Sequence, residues 1–244
     1  MKKQQVILLA LFFAVFAIPA CDIDDDGPFW GDCKRGQGPE VEVALNMPEF
    51  TGVRLSSSVD VFITQGPNFE VIAKGEENII DELELDVQND VWDIEFDRCV
   101  RDFDLKLYIT MPIIRSVSNS GSGNIRGENF FNVQDIVLRV SGSGDIDLGL
   151  VAEEIDGKIS GSGDILLEGE AQNLDFDISG SGDLKAFNLV TQTADINISG
   201  SGDASVRVLE VLDARISGSG DIYFKGNPVI NLNRTGSGNV VDAN

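Results

Sequence analysis

The amino-acid sequence predicts an all-β protein, a single-stranded parallel β-helix (β-solenoid) with coils of about 18–21 residues. Three observations predict it. A motif Ser-Gly-Ser-Gly-Asp, or a close variant, occurs seven times in the C-terminal half. Its copies start at Ser120, Ser141, Ser160, Ser179, Ser199, Ser217 and Thr235, so successive starts lie 21, 19, 19, 20, 18 and 18 residues apart. Around the copies apolar and polar residues alternate with a period of two, the mark of a half-buried strand, and no stretch from 115 to 244 keeps a helical period.

The start of the chain reads as an address. Met1-Lys2-Lys3 is basic, and Val6 to Ile18 is an unbroken apolar run of thirteen residues. A bilayer-spanning helix needs about 20, so the run fits the hydrophobic region of a signal peptide. Ile18-Pro19-Ala20-Cys21 resembles a bacterial lipobox, which implies a lipoprotein-type signal peptide over 1–20 and a lipid anchor on Cys21. Several acyl chains, at ~0.8 kcal/mol per buried methylene, would hold the chain to a membrane. The expected location is therefore the outer membrane, lipid-anchored, facing the periplasm or the cell surface. A plain secretory signal with an ordinary cysteine is the alternative.

Residues 21–40 read as an acidic flexible tether. Asp22-Ile23-Asp24-Asp25-Asp26-Gly27 matches the first half of a calcium loop, but its twelfth position, which needs a glutamate, is Cys33. No cofactor is implied, calcium being the one ion these acids leave in view. Acidic residues just after a lipidated cysteine also resemble the surface-export signals of some Bacteroidetes lipoproteins. Cys33 and Cys99 either pair in an oxidising compartment or stay as two buried thiols. A bridge would close a loop of about 66 residues, worth roughly 4 kcal/mol by loop-closure entropy.

Residues 41–114 form an N-terminal β region. Val41 to Leu45, Val59 to Ile63, Val91 to Phe96 and Leu105 to Ile109 alternate at least in part, and Gln65-Gly66-Pro67-Asn68 and Gln88-Asn89-Asp90 supply turns. Ser57-Ser58-Val59-Asp60 reads as a degenerate copy of the motif. Glu76 to Leu85 suits a short helix with Asn78 as its cap.

Residues 115–244 are the repeat β-helix. In the third copy Ile155, Gly157, Ile159, Gly161, Gly163, Ile165 and Leu167 share one face, with Asp156, Lys158, Ser160, Ser162 and Asp164 on the other. A unit of this size cannot bury its apolar face alone, so neighbours must stack, glycines inward and Ser and Asp outward. A propeller blade needs about 40–50 residues. Stacking sets Asp145, Asp164, Asp183, Asp203 and Asp221, flanked by Asn124 and Asn239, in a column ~4.8 Å apart. Two unit charges at that spacing repel by about 1 kcal/mol in water. Relief comes either from backbone N–H groups of each residue's own Gly-Ser-Gly turn or from a bound cation. The column is thus a structural ladder that could double as a cation or ligand face.

Composition excludes several function classes. With 41 acidic against 18 basic residues the net charge is −23; removing 1–20 takes Lys2 and Lys3 and leaves 16 against 41, or −25. Such a surface repels nucleic acid, so no nucleic-acid partner is expected. The absence of histidine removes Ser-His-Asp and Cys-His catalysis and histidine-ligated metals. Three cysteines cannot make a four-cysteine zinc or iron–sulfur site. Carboxylate, Lys and Arg chemistry survives.

Phe50 to Gly66, Leu105-Lys-Leu-Tyr-Ile-Thr-Met-Pro112 and the SGSGD copies together resemble the putative auto-transporter adhesin, head GIN domain family, over about residues 50–235. The resemblance implies an exported, β-helical protein of the Bacteroidetes type, with an adhesin-like binding or structural role at the cell envelope toward a glycan or protein ligand. It brings no catalytic residues. Thr235 and Asn239 depart from the motif, and Arg234 stands where an apolar residue belongs, which suits a terminal, capping coil. The rival is a polysaccharide-active β-helix enzyme, a lyase or glycoside hydrolase. Such enzymes break their repeat at an irregular acid–base cluster, whereas Arg139, Lys158, Lys185, Arg207, Arg215 and Lys225 are scattered here. A non-enzyme is expected.

Overall fold

In the computed structural model, which describes residues 33–244, the alternating segments form strands whose buried members are the apolar ones. The signal peptide, Cys21 and the acidic run Asp22 to Gly27 lie outside the described residues. The fold is a parallel β-solenoid of about 7 turns, as the repeat predicts.

Each coil has two walls. The strand following an SGSGD motif lies in the first wall and the strand preceding the next motif lies in the second. The N-terminal strands are β1 (Lys34–Arg35), β2 (Glu40–Ala44), β3 (Gly52–Leu55), β4 (Asp60–Gln65), β5 (Glu70–Glu76), β6 (Val87–Gln88), β7 (Val91–Ile94), β8 (Val100–Arg101) and β9 (Leu105–Met111). The remainder are β10 (Ser116–Asn119), β11 (Ile125–Asn132), β12 (Asp135–Val140), β13 (Ile146–Ile159), β14 (Ile165–Ile178), β15 (Leu184–Ile198), β16 (Ala204–Ile216), β17 (Ile222–Lys225), β18 (Val229–Arg234) and β19 (Val240–Asp242). β13 to β16 run through both walls. Between β13 and β14 the pairing passes from Ala152–Ala171 to Glu154–Asn173, which marks the second corner.

Inside, in-register apolar ladders hold the coils together. Ile146, Ile165, Leu184, Ala204 and Ile222 stack in successive coils with 0% exposure. Each buried Ile or Leu contributes roughly 1.5–3 kcal/mol relative to exposure. Gly157 sits inward opposite Phe176, whose ring fills the space a side chain would take; a Cβ there would lie 2.0 Å from it.

Chain order and stacking order differ at the N-terminal end. β3 and β4 form one coil, with β7 and β9 paired to it on one side and β10 and β11 on the other, all parallel. The coil that follows β5 in sequence therefore slides beneath its predecessor before the repeat climbs. Below it β5 runs antiparallel to β9, and β2 antiparallel to β5, so at this end antiparallel strands extend the first wall. β6 and β7 make a hairpin whose turn residues Asn89 and Asp90 take φ of 52° and 61°, the left-handed geometry such two-residue turns require.

Two local expectations need correction. The helix α1 spans only Glu77–Ile80, and Asn78 does not cap it. Its side chain instead accepts from the Gln37 N–H (2.9 Å) and donates to the Arg35 carbonyl (2.7 Å), docking the incoming chain. The tether expected over 21–40 does not extend through 33–40. Cys33 is disulfide-bonded to Cys99, and β1 pairs in parallel with β8, so this stretch is tied to the fold.

Candidate functional site

The aspartates of the motif line up, and they face backbone donors. Asp145 Oδ1 accepts the N–H of Asp164 (2.8 Å), Asp164 that of Asp183 (2.8 Å), Asp183 that of Asp203 (2.8 Å) and Asp203 that of Asp221 (2.7 Å). Asn239 N–H donates to Asp221 (2.6 Å), and Asp145 N–H to Asn124 Oδ1 (3.1 Å). Asp60 starts the series by accepting from Asn124 N–H (2.9 Å), which puts Ser57 to Asp60 in the place of a motif. Relief of the charge column thus comes from the N–H of the next coil, not from each residue's own turn. Hydrogen bonds to a carboxylate are among the stronger ones, and here they stitch coil to coil.

The glycines serve the same contact. Ser181 and Gly182 N–H both donate to the Gly161 carbonyl of the coil before (3.0 and 3.3 Å). A Cβ on Gly163 would lie 2.2 Å from the Gly144 oxygen, so only glycine lets the corners stack this closely. The first glycine of each motif is half-buried and the second buried, and the serines are exposed. Their inward placement therefore matters less than this approach along the stacking axis.

A second acidic column, on the outer face of the second wall, has no such donors. Asp156, Asp175, Asp195 and Asp213 are in register in four adjacent coils, each eight residues before the aspartate of its motif. Arg139 pairs with Asp156 (2.7 Å), Arg215 pairs with Asp195, and Asn231 donates to Asp213 (2.9 Å). Among the described residues Asp175 has no ion-pair partner. Partial desolvation, then the carboxylates of Asp195, Asp156, Asp177 and Glu154, raises its pKa above the ordinary value. In the sequence the SGSGD aspartates are the conspicuous ones; the constant eight-residue offset is the signal for this column.

The outer face of the first wall carries a different patch near the N-terminal end. Ile72, Tyr108, Phe62 and Arg126 occupy one row across β5, β9, β4 and β11. The rings of Phe62 and Tyr108 stack at 5.1 Å with 15° between planes, and Tyr108 is 38% exposed. Lys74 and Lys106 stand in the neighbouring row. Glu40 raises the pKa of Lys74, and Asp104 that of Lys106, through hydrogen bonds, so both remain cations. The row of the lysines runs Glu42, Lys74, Lys106 and Asp60, so this is an apolar, aromatic strip with a charge-balanced margin.

Further along that wall a hollow of about 320 Å³ is lined by Asp147, Glu168, Lys185 and Phe187 among others. Carboxylates and a lysine meet in it. Lys185, however, donates to Asp164 Oδ2, and that bond raises its pKa, so it is held protonated rather than freed as a base. Among the described residues no group of three or more His, Cys, Asp or Glu is arranged to hold a metal ion.

Comparisons with known proteins agree with this architecture. A crystal structure titled as a putative adhesin from Bacteroides fragilis superposes with a TM-score of 0.81 at 25% identity, over 85% of this chain and 99% of that one. A putative adhesin from Parabacteroides merdae gives 0.72 at 22% identity, over 86% and 98%. A protein titled as a putative lipid binding protein from Parabacteroides distasonis gives 0.74 at 23%, over 86% and 99%. Curated proteins give no match. Residues 49–228 match the family described as "Putative auto-transporter adhesin, head GIN domain", and the chain belongs to that family.

Proposed function

We propose that the chain is a non-catalytic lipoprotein of the outer membrane, anchored through Cys21, that binds a protein ligand in an adhesin-like manner through the strip of Ile72, Phe62, Tyr108 and Arg126. The carrying observation is the stacked Phe62–Tyr108 pair on the outer face of the sheet, Tyr108 exposed and Phe62 half-buried, beside Arg126. Outward-facing Tyr, Phe and Arg together have the composition of the few residues that dominate binding at protein interfaces. Rings stacked face to face present their edges to solvent, which suits insertion into a partner's pocket better than a flat platform for sugar rings. Membership of an adhesin family supports a surface-facing role.

A panel of extracellular matrix proteins and glycans, probed with the exported chain and with a Phe62→Ala/Tyr108→Ala variant, tests this. Both side chains point outward, so the variant keeps the fold. Protein binding that weakens at least about thirtyfold in the variant, the 2 kcal/mol of an interface hot spot, is expected. Glycan binding in place of protein binding, or binding indifferent to both residues, overturns the assignment. Release of unsaturated sugars from a polysaccharide would show an enzyme instead. Cys21→Ser is expected to free the chain from the membrane fraction; unchanged retention contradicts the anchor.

A further inference from the structure

The two ends of the solenoid are finished differently. At the N-terminal end the outermost strand is β2, paired only with β5 and carrying Glu40 and Glu42. At the other end β18 pairs only with β16, and β19 only with β17, and neither carries a run of charge. Their far edges have no partner among the described residues. The core layer is open there as well: Ile230 and Leu232 are 38% and 50% exposed, while Leu212 and Ala214 in register behind them are fully buried. Arg234, in register with buried Ile216, folds over only the corner, donating to the Gly238 carbonyl and Asn239 Oδ1. Within Val229–Arg234 there is no Lys or Pro of the kind that normally blunts an exposed edge.

We infer that this end is the interface of a tail-to-tail homodimer, in which β18 and β19 of one copy meet β18 and β19 of a second. Charge selects the occupant. Residues 226–244 contain one basic residue, Arg234, and one acidic residue, Asp242, so this end is neutral in a chain of net charge −23. It is where two copies approach without opposing their acidic faces. The columns of the solenoid also change identity on reaching it. Asn231 lies in register with Asp213, Asn233 with Arg215, and Asn239 follows Asp221. An asparagine amide both donates and accepts and carries no charge, so a second copy can approach it without repulsion. A carboxylate in its place would set like charges across the contact. A two-fold axis normal to both walls reverses strand direction, bringing β18 against β18 antiparallel and β19 against β19. The exposed edges and the Ile230–Leu232 layer are closed in one step, and the N-terminal ends point away from each other.

Sedimentation velocity of the exported chain carrying Cys21→Ser, from about 1 to 100 µM, reads the association directly. A dimer is expected. Asn231→Asp with Asn239→Asp gives the terminal coil the residues that earlier coils already carry, so the fold is retained. The variant is expected to weaken the dimer by at least about tenfold at low salt, with partial recovery at high salt. A monomer across the whole range overturns the inference. So does a dimer that the two substitutions leave unchanged, or a polymer growing with concentration, which would need the N-terminal end.

Discussion

Two aspartate columns run along the same coils with the same spacing, and they play opposite parts. At the corner, Asp145 to Asp221 each accept the N–H of the next coil, so their charges answer to backbone donors. On the outer face of the second wall, Asp156, Asp175, Asp195 and Asp213 face solvent and one another, relieved at intervals by Arg139, Arg215 and Asn231. Repetition of a charged residue therefore does not define its role. What decides is whether the carboxylate is aimed at an orphan donor or at another carboxylate.

Gly163→Ala should break the corner most severely. Its new methyl would meet the Gly144 carbonyl, which as backbone cannot step aside, and the coils must part. A loss of about 3 kcal/mol or more in chemical denaturation is expected. Next in size, Asp183→Ala leaves the Asp203 N–H without its acceptor and should cost ~1–3 kcal/mol. Asp183→Asn should cost under about 1 kcal/mol, because an amide oxygen still accepts, as Asn124 does for Asp145. Equal losses for Ala and Asn would contradict the bonding scheme.

The smallest effect belongs to the outer column. The Asp175 carboxyl titrates higher in the folded chain than its ordinary value of 3.8. The unfolded chain thus releases that proton first, and stability falls as pH rises through the interval between the two values. Asp175→Asn should remove this fall, so its melting temperature gains on the parent as pH is raised through that interval and holds its lead above it. A variant that melts below the parent at neutral pH would show that Asp175 is a structural acceptor after all.

The repeat made the solenoid legible because coil period, strand alternation and corner residues are all local in sequence. The corner column could be placed in the same way, but its donors could not. Whether Asp164 reaches its own turn or the N–H of Asp183 depends on how closely two corners approach. The insertion of β7 and β9 beneath β3 and β4 left no periodic trace, since it rests on pairings such as Val53 with Trp92 across a hairpin and a helix. Likewise Asn78 looked like a helix cap until Arg35 and Gln37 came within its reach. Phe62 and Tyr108 did carry a signal: each occupies a polar phase of an alternating strand, where an aromatic side chain must face outward.

Amide hydrogen exchange, followed residue by residue, tests the stitching of the corner most directly. The N–H groups of Asp164, Asp183, Asp203 and Asp221 should exchange slowly although they lie at a polar corner, and Asp164→Ala should release protection at Asp183 while that at Asp221 stays high. Fast exchange of these amides in the parent chain, or protection at Asp183 that survives the loss of the Asp164 carboxylate, would contradict the account.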